Sequence, residues 1–278
     1  MKKIIGFTFL FLCVATSFAQ ISVLDGVYTK SKNNVVRKPV PYVELREVDI
    51  MWAKRIWRVV DMKEKMNQVF YYPETPDQGR KNLITVLMEG IRETGNITAY
   101  NPDVDDMFTQ PMTVEQVMTE KMTRPTIVQT FNETTMEMED EEVMDTLNNY
   151  DITRFEIKEE VFFDKQRSVL ETRILGICPL VEEFRNGEFI GYRKLFWVYF
   201  PEARPVLAQN EVYNRHNDVH RLTFDDVFLK RMFSSTVTKE SNVYNRKLSQ
   251  YKAPLDAVLE AEQIEEEIFH MEHDLWSF

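Results

Sequence analysis

Two residue types that build cross-links and tight loops are scarce in this sequence. Of its 278 residues, 2 are cysteines and 8 are glycines. Cys13 lies in the predicted N-terminal export segment. Cys178 therefore has no partner within the exported chain, which excludes an internal disulfide framework. A shortage of glycine leaves little material for the glycine-rich loops that cradle phosphate groups. Stability must therefore come from a packed core.

The sequence also lacks an apolar run long enough to span a bilayer. Its most apolar stretch, Ile4–Val14, is too short for that. Lys2 and Lys3 precede this stretch, and Ser17–Ala19 follows it with a small-x-small cleavage pattern. These features predict a signal peptide over residues 1–19 and export to the periplasm without direct membrane insertion.

Positive charge and a lipidation signal are missing as well. The formal net charge is −11, which disfavours nucleic acid and anionic membranes as partners. Leu12 stands before Cys13, where a lipoprotein signal needs a small residue. Any attachment to a membrane is therefore expected to come from a partner protein.

What the sequence does contain is typical of a globular protein. Hydrophobic residues make up 44% and aromatic residues 12% of the chain. After an extended N-terminal arm over residues 20–43, we predict a single α+β domain over residues 44–278. Within that domain we expect three parts in chain order: helical 44–122, β-rich 124–208 and C-terminal helices in 223–276.

The most informative segment is a block of strands from Phe155 to Arg204. Asn186-Gly187 at its centre suits a type I′ hairpin turn, because both residues accept positive φ. Leu195–Phe200 is apolar on both faces, so that a strand there must be covered on both sides, by its own core or by a partner. The expected fold is an antiparallel sheet built around a central β-hairpin region, residues 152–204.

Amphipathic helices are predicted on both sides of this sheet. Apolar residues recur at helical spacing in Glu44–Val69 and in Pro254–Asp274, and a further helix is expected over Lys81–Glu93. The stripe of the last helix is predicted to consist of Leu255, Val258, Leu259, Ile264, Ile268, Met271 and Leu275. Thr113 and Thr223 have the form of helix N-caps.

Large aromatic side chains are the residues expected to anchor either the core or an interface. These anchors are Trp52, Trp57, Phe196, Trp197, Tyr199 and Trp276. The acidic, methionine-containing segment Glu133–Asp145 is predicted to be a solvated loop, with a docking surface as the alternative.

No catalytic, metal or cofactor site is expected from the motifs. His216 and His220 are four residues apart and His270 and His273 three apart, but the H-E-x-x-H pattern of zinc enzymes is absent. A run of aspartates at positions 103, 105 and 106 lacks the glycine and distal glutamate of an EF-hand. A metal-dependent hydrolase using His216 and His220, or a module that binds peptide or glycan, remains the alternative to a structural protein.

Several stretches together resemble the GldN/PorN family of Bacteroidota gliding-motility proteins. The stretches that carry the resemblance are Trp52–Asn67, Phe163–Ser168, Arg173–Leu180, Leu195–Arg204, Lys239–Arg246 and Glu272–Trp276. The resemblance covers essentially the whole exported chain in order.

The resemblance implies a non-catalytic, periplasmic component of the type IX secretion system that also supports gliding motility. It implies assembly with a GldK/PorK-type outer-membrane lipoprotein into a large ring on the inner face of the outer membrane. It further implies self-association within the ring and contact with the periplasmic part of a GldM/PorM-type motor protein.

Overall fold

The structure is a computed structural model that describes residues 36–77, 79–132, 137–185, 188–214, 217 and 219–276. For residues 126–132, 137–143, 185, 275 and 276 it describes the backbone alone. The chain divides between residues 33 and 34 into two units, and every described residue belongs to the second. The predicted signal peptide, most of the predicted arm and the Asn186-Gly187 turn lie outside the described residues.

The second unit is α+β, as predicted. Its strands are β1 (Ile50–Asp61), β2 (Ala99–Tyr100), β3 (Pro111–Met112), β4 (Thr123–Asn132), β5 (Glu137–Thr146), β6 (Ile152–Asp164), β7 (Val169–Arg185), β8 (Glu188–Lys194), β9 (Trp197–Tyr199), β10 (Glu211–Val212), β11 (Leu222–Thr223) and β12 (Thr236–Glu240). Its helices are α1 (Gln68–Tyr71), α2 (Leu83–Arg92), α3 (Val114–Gln116), α4 (Phe200–Gln209), α5 (Phe224–Leu229) and α6 (Pro254–Trp276). A π-helical turn, Val117–Lys121, continues α3, and short 3₁₀ turns lie at Glu47–Asp49, Asn149–Asp151 and Leu248–Gln250.

The main sheet has eight strands in the order β12-β1-β6-β7-β9-β2-β3, and β8 also pairs with β7. Each of these pairings is antiparallel. The long central strands β1, β6 and β7 carry most of the pairing. The predicted antiparallel sheet around residues 152–204 is therefore present.

One prediction fails at the N-terminal side, because residues 50–61 form the strand β1 and not a helix. β1 lies between β12 and β6 and is covered on both faces. Since both faces are apolar, the two-residue alternation of a strand is hidden, and spacings such as that of Trp52 and Ile56 mimic a helix. The predicted helical part, residues 44–122, accordingly contains a central strand.

Two smaller corrections concern single elements. Glu137–Thr146 is the strand β5 and not a loop, because the β-prone strand β4 takes it as an antiparallel hydrogen-bonding partner. The predicted strand block ends at Tyr199, since Pro201 occupies the first turn of helix α4, where a missing N–H costs nothing.

Other local predictions are confirmed. Thr113 and Thr223 each accept a hydrogen bond from the backbone N–H three residues on, within capping boxes that begin α3 and α5. Helix α2 begins after Asn82, whose side chain caps it by accepting from the N–H of Thr85. Helix α6 occupies the predicted C-terminal position.

The main core fills the space between one face of the sheet and helices α1, α2, α4 and α5. Phe155 and Ile157 of β6, Val198 of β9 and Val60 of β1 point into it. The aromatic rings of Phe70, Phe200, Phe224, Phe228 and Phe233 pack against one another at its centre. We call this side of the sheet the helix face and the other side the loop face.

Candidate functional site

The predicted aromatic anchors occupy different environments. Trp57, Phe196 and Trp197 are buried, and Tyr199 is 39% exposed. Trp52 is half-buried against a small cluster beneath α6. The side chain of Trp276 lies outside the described residues.

Leu195–Phe200 is covered on both faces by this chain itself. Phe196 and Val198 belong to the main core on the helix face. Trp197 points the other way and packs with Trp57, Cys178 and Leu180 on the loop face. The sequence predicted that this strand must be covered on both faces, and this chain itself provides that cover.

Strand register places an unusual row of side chains across the loop face. Lys239 of β12 pairs with Trp57 of β1, Trp57 pairs with Lys158 of β6, and Lys158 pairs with Gly176 of β7. The ring of Phe108 lies on Gly176, where a Cβ would come within 2.5 Å of its Cζ atom. Gly176 thus provides the space in which the loop over residues 101–110 seats against the sheet.

Both lysines of this row are buried among aromatic rings. The Lys239 Nζ atom lies 3.9 Å from the centre of the Trp57 ring, and the Lys158 Nζ atom lies 5.3 Å from that of Phe108. Lys158 donates to the backbone carbonyl of Asp106, and Asp106 Oδ1 and Oδ2 lie 3.3 Å and 3.6 Å from Lys158 Nζ and Lys239 Nζ. One carboxylate therefore serves two buried ammonium groups.

Burial dominates the electrostatics of this pair. Removal from water lowers the pKa of Lys158 below its ordinary value, although Asp106 opposes the shift. The pKa of Lys239 is lowered for the same reason, again against the attraction of Asp106. We call Lys158, Lys239, Asp106, Trp57 and Phe108 the lysine cage.

A second charged pair lies beside the lysine cage. The buried carboxylate of Glu156 is 2.7 Å from Lys194 Nζ and 4.0 Å from Lys247 Nζ. Glu156 is opposite Cys178 in the β6–β7 register. The Lys194 ammonium also lies 5.0 Å from the ring centre of Trp197. On the loop face, ion pairs that lie among aromatic rings therefore hold neighbouring segments of the chain together.

Sequence patterns contain only a weak indication of this arrangement. Glu156 and Lys158 alternate with Phe155 and Ile157, as in a strand with one wet face. The structure buries the polar side of that strand as well, with Glu156 and Lys158 at 2% exposure or less. The indication in the sequence is that this strand of mixed polarity is followed by further apolar strands.

Cys178 and the described histidines lie in different environments. Burial raises the pKa of the Cys178 thiol, which disfavours the reactive thiolate. Within the described residues, no group of three or more His, Cys, Asp or Glu side chains is placed to hold a metal ion. His216 lies outside the described residues, and His220, His270 and His273 are exposed.

The aspartates at positions 103, 105 and 106 each have a partner inside the chain. Asp103 pairs with Lys121, and the Asp105 carboxylate accepts from the hydroxyl of Thr109. That hydrogen bond is the main cause of the lowered pKa of Asp105. The run therefore shapes the loop that carries Phe108 and does not form a common site.

Buried ion pairs also occur on the helix face. Glu159, which is fully buried, accepts from Arg58 and from Arg231, with 2.8 Å between Arg231 Nη1 and Glu159 Oε2. Arg204 and Asp225 form a two-pronged pair between α4 and α5, with 2.8 Å between Arg204 Nε and Asp225 Oδ1. The first group joins β1 and β6 to the turn after α5, and the second joins α4 to α5.

One apolar groove opens beside the main core. It has a volume of about 560 Å³ and lies between the turn after β1, strands β10 and β11, and the end of α5. Val69, Val212, Leu222 and Val227 form much of its wall, and Lys65 lies at its rim. The groove suits an apolar group more than a sugar.

Helix α6 differs from the prediction in the face that it buries. Ala261 and Ile264 are buried, with Ala257 and Ile268 packed beside them. Leu255, Val258 and Leu259, which were expected in the buried stripe, are exposed. Two alanines and two isoleucines therefore form the face that meets the body, and the leucines near the start of the helix lie outside it.

Every helix in the described part of the chain is too short or too polar to span a membrane. A search of curated proteins found no match to the chain. The family model described as gliding motility associated protein GldN matches residues 45–277, which include nearly all of the described unit. The chain therefore belongs to the GldN family of gliding motility associated proteins.

Proposed function

We propose that the protein is a non-catalytic structural subunit of the gliding motility and type IX secretion machinery. In this proposal it resides in the periplasm, on the inner face of the outer membrane, where a GldK/PorK-type lipoprotein retains it. The two proteins form a large ring that contacts the periplasmic part of a GldM/PorM-type motor protein. The observation that carries the proposal is the family match over residues 45–277.

The environments of reactive side chains support a role without catalysis. Lys158 and Lys239 have lowered pKa values, which can make lysine nucleophilic. Both amines, however, lie under Phe108 and Trp57 and face Asp106. A substrate would have to displace this packed loop, so we assign the lysine cage to holding the loop on the sheet.

The burial of aromatic residues limits which surfaces are free for assembly. Trp57, Phe196 and Trp197 are proposed as core anchors, because this chain covers them. Among the exposed large apolar residues, those of the β7–β8 hairpin, with Phe184 and Phe189, and those of helix α6 give two candidate surfaces. A ring needs two different surfaces on each subunit, because head-to-tail contacts join unlike patches.

The test is to purify the chain with and without its co-expressed GldK/PorK-type lipoprotein and to compare the particles by sizing and electron microscopy. We expect large annular assemblies with the lipoprotein and smaller species without it. A chain that remains strictly monomeric in the presence of the lipoprotein would refute the proposal. A tagged chain recovered from its own envelope should bring the lipoprotein with it.

A further inference from the structure

Helix α6 is fixed to the body of the protein through one face. Ala261 and Ile264 pack on a cluster formed with Ile56 of β1 and Val237 of β12. Ion pairs reinforce the contact, since Glu265 pairs with Arg58 and Glu267 Oε2 lies 3.5 Å from Lys54 Nζ. The helix is therefore a fixed platform whose other face points to solvent.

The outer face of α6 carries large apolar side chains toward both ends of the helix. Leu255 is 72% exposed, Leu259 54% and Phe269 64%, and Val258 is about as exposed as Leu259. Leu255, Glu262 and Phe269 are spaced by seven residues, so they lie along one line of the helix. The apolar residues at the two ends of this line are therefore separated by the carboxylate of Glu262.

The carboxylates on the two sides of α6 differ in whether they form ion pairs. The carboxylates near the body are paired, as Glu265 and Glu267 show, and Glu260 lies 3.2 Å from Lys252. Glu262 and Glu266, between the exposed apolar residues, have no ion-pair partner within the described residues. The sequence of α6 contains no Lys or Arg that could neutralise them.

We propose that the outer face of α6 docks an amphipathic helix of a partner protein whose apolar side chains are flanked by Lys or Arg. The apolar residues supply the contact area, and Glu262 and Glu266 select a basic partner. Leu255 and Phe269 are separated by 14 residues, or about 21 Å at 1.5 Å per residue, which matches a partner helix of about four turns.

The α6 helix of a second copy does not fit the same face. Pairing α6 with itself sets one acidic helix against another, and in a parallel pair Glu262 meets Glu262. Like charges opposed across a helix interface are unfavourable. The proposal concerns the chemistry of the partner and holds whether or not that partner belongs to the secretion machinery, so it can fail independently of the proposed function.

The test uses the full-length protein and a synthetic helical peptide of about three heptads, with leucine at positions a and d and lysine at e and g. A second peptide carries glutamate in place of lysine. We expect calorimetry to show binding of the lysine peptide and a much weaker response to the glutamate peptide. The combined change Leu259→Gln and Phe269→Gln should raise the Kd at least about tenfold.

Matched variants separate docking from general attraction to an acidic protein. Glu262→Gln with Glu266→Gln should weaken binding and reduce its salt dependence, whereas Glu64→Gln with Glu74→Gln, which removes the same charge elsewhere, should leave it unchanged. Val243→Gln with Leu229→Gln is the apolar control, because both residues are exposed and neither belongs to α6. Circular dichroism verifies that each variant retains its helix content.

Three results would overturn the proposal. The first is no binding of the lysine peptide, and the second is equal loss of binding in the control variants. The third is self-association of the wild-type chain that Leu259→Gln with Phe269→Gln abolishes, since that would make a second copy the occupant.

Discussion

On strand β6, Phe155 and Ile157 point to the helix face, and Glu156 and Lys158, each one residue along, point to the loop face. The first pair joins a core of aliphatic and aromatic side chains beneath four helices. The second pair joins charged groups enclosed by Trp57, Trp197 and a loop. Both sides are buried. The helix face is stabilised mainly by the hydrophobic effect. The loop face depends on buried ion pairs, in which a charge that loses its partner destabilises the fold.

The largest expected effect tests whether the two faces are packed equally. Phe196→Ala removes a ring from the helix face, and Trp197→Ala removes one from the loop face. Each should reduce the free energy of unfolding by about 3–5 kcal/mol, because each leaves a large cavity. Urea unfolding of the isolated chain, followed by far-ultraviolet circular dichroism, measures both. If Trp197→Ala spared folding and prevented assembly, Trp197 would be an interface residue and the loop face would be an open surface.

The second effect belongs to the loop face. Asp106→Asn leaves the buried ammonium groups of Lys158 and Lys239 without their shared counter-charge. We expect the free energy of unfolding to fall by about 2–3 kcal/mol near neutral pH. This is toward the lower end of the cost of breaking a buried ion pair, because Asp106 is partly exposed. Adding Lys239→Met to Asp106→Asn should recover part of this loss. The control Glu64→Gln removes an exposed carboxylate and should have little effect. An Asp106→Asn protein as stable as wild type would show that the lysine cage contributes nothing.

A third effect tests the seating of the loop. Gly176→Ala places a methyl group against Phe108 and should cost about 1–3 kcal/mol through overpacking. In a chain that already carries Phe108→Ala, the same change should cost much less, because its main obstacle is gone. The double-mutant cycle measured by urea unfolding gives the coupling between the two positions. Strict additivity would mean that Phe108 does not occupy the space above Gly176 in solution.

The smallest effect is a pH dependence that distinguishes the faces. Burial lowers the pKa of Lys158 and Lys239 in the folded chain, so the unfolded chain binds more protons as pH falls below the usual lysine pKa. The stability contributed by these lysines should therefore rise as the pH approaches the usual lysine pKa of about 10.4 from below. Burial also raises the pKa of Tyr42, which acts in the opposite direction near the same pH.

A comparison of wild type with the double variant Lys158→Met and Lys239→Met isolates the effect of the lysines, because both proteins retain Tyr42. The stability of wild type should increase relative to the double variant as pH rises toward the usual lysine pKa. Parallel pH profiles for the two proteins would contradict the assignment of lowered pKa values to the lysine cage.

The parts of the fold that could be predicted are those in which neighbouring residues decide the outcome. The capping boxes at Thr113 and Thr223 depend on residues three positions apart, and both begin helices as expected. The paired strands around residues 152–204 follow from their apolar content. Leu195–Phe200 was correctly expected to need cover on two sides, and the three residues of β9 lie within it.

The parts that could not be predicted depend on distant partners. β1 is a strand because β12 and β6 bind both of its edges, and nothing within Ile50–Asp61 records those partners. Lys158 is buried because Asp106, 52 residues away, supplies its counter-charge. The side of α6 that faces the body contains Ala257 and Ala261 as well as Ile264, whereas Leu255 and Leu259 are exposed. Apolar periodicity locates a face, but it does not say whether the chain or a partner covers it.

Strand β1 has a mechanical consequence for a protein of this family. The chain enters the strand directly from the described N-terminal residues 36–49, and α6 is bonded to the same strand at Lys54 and Arg58. A force applied between the start of β1 and α6 therefore loads the first half of this strand, the two ion pairs and the apolar contact of Ile56 with Ala261 and Ile264. Because β1 is paired with β6 along most of its length, pulling β1 along its own axis shears many hydrogen bonds together and does not open them one at a time.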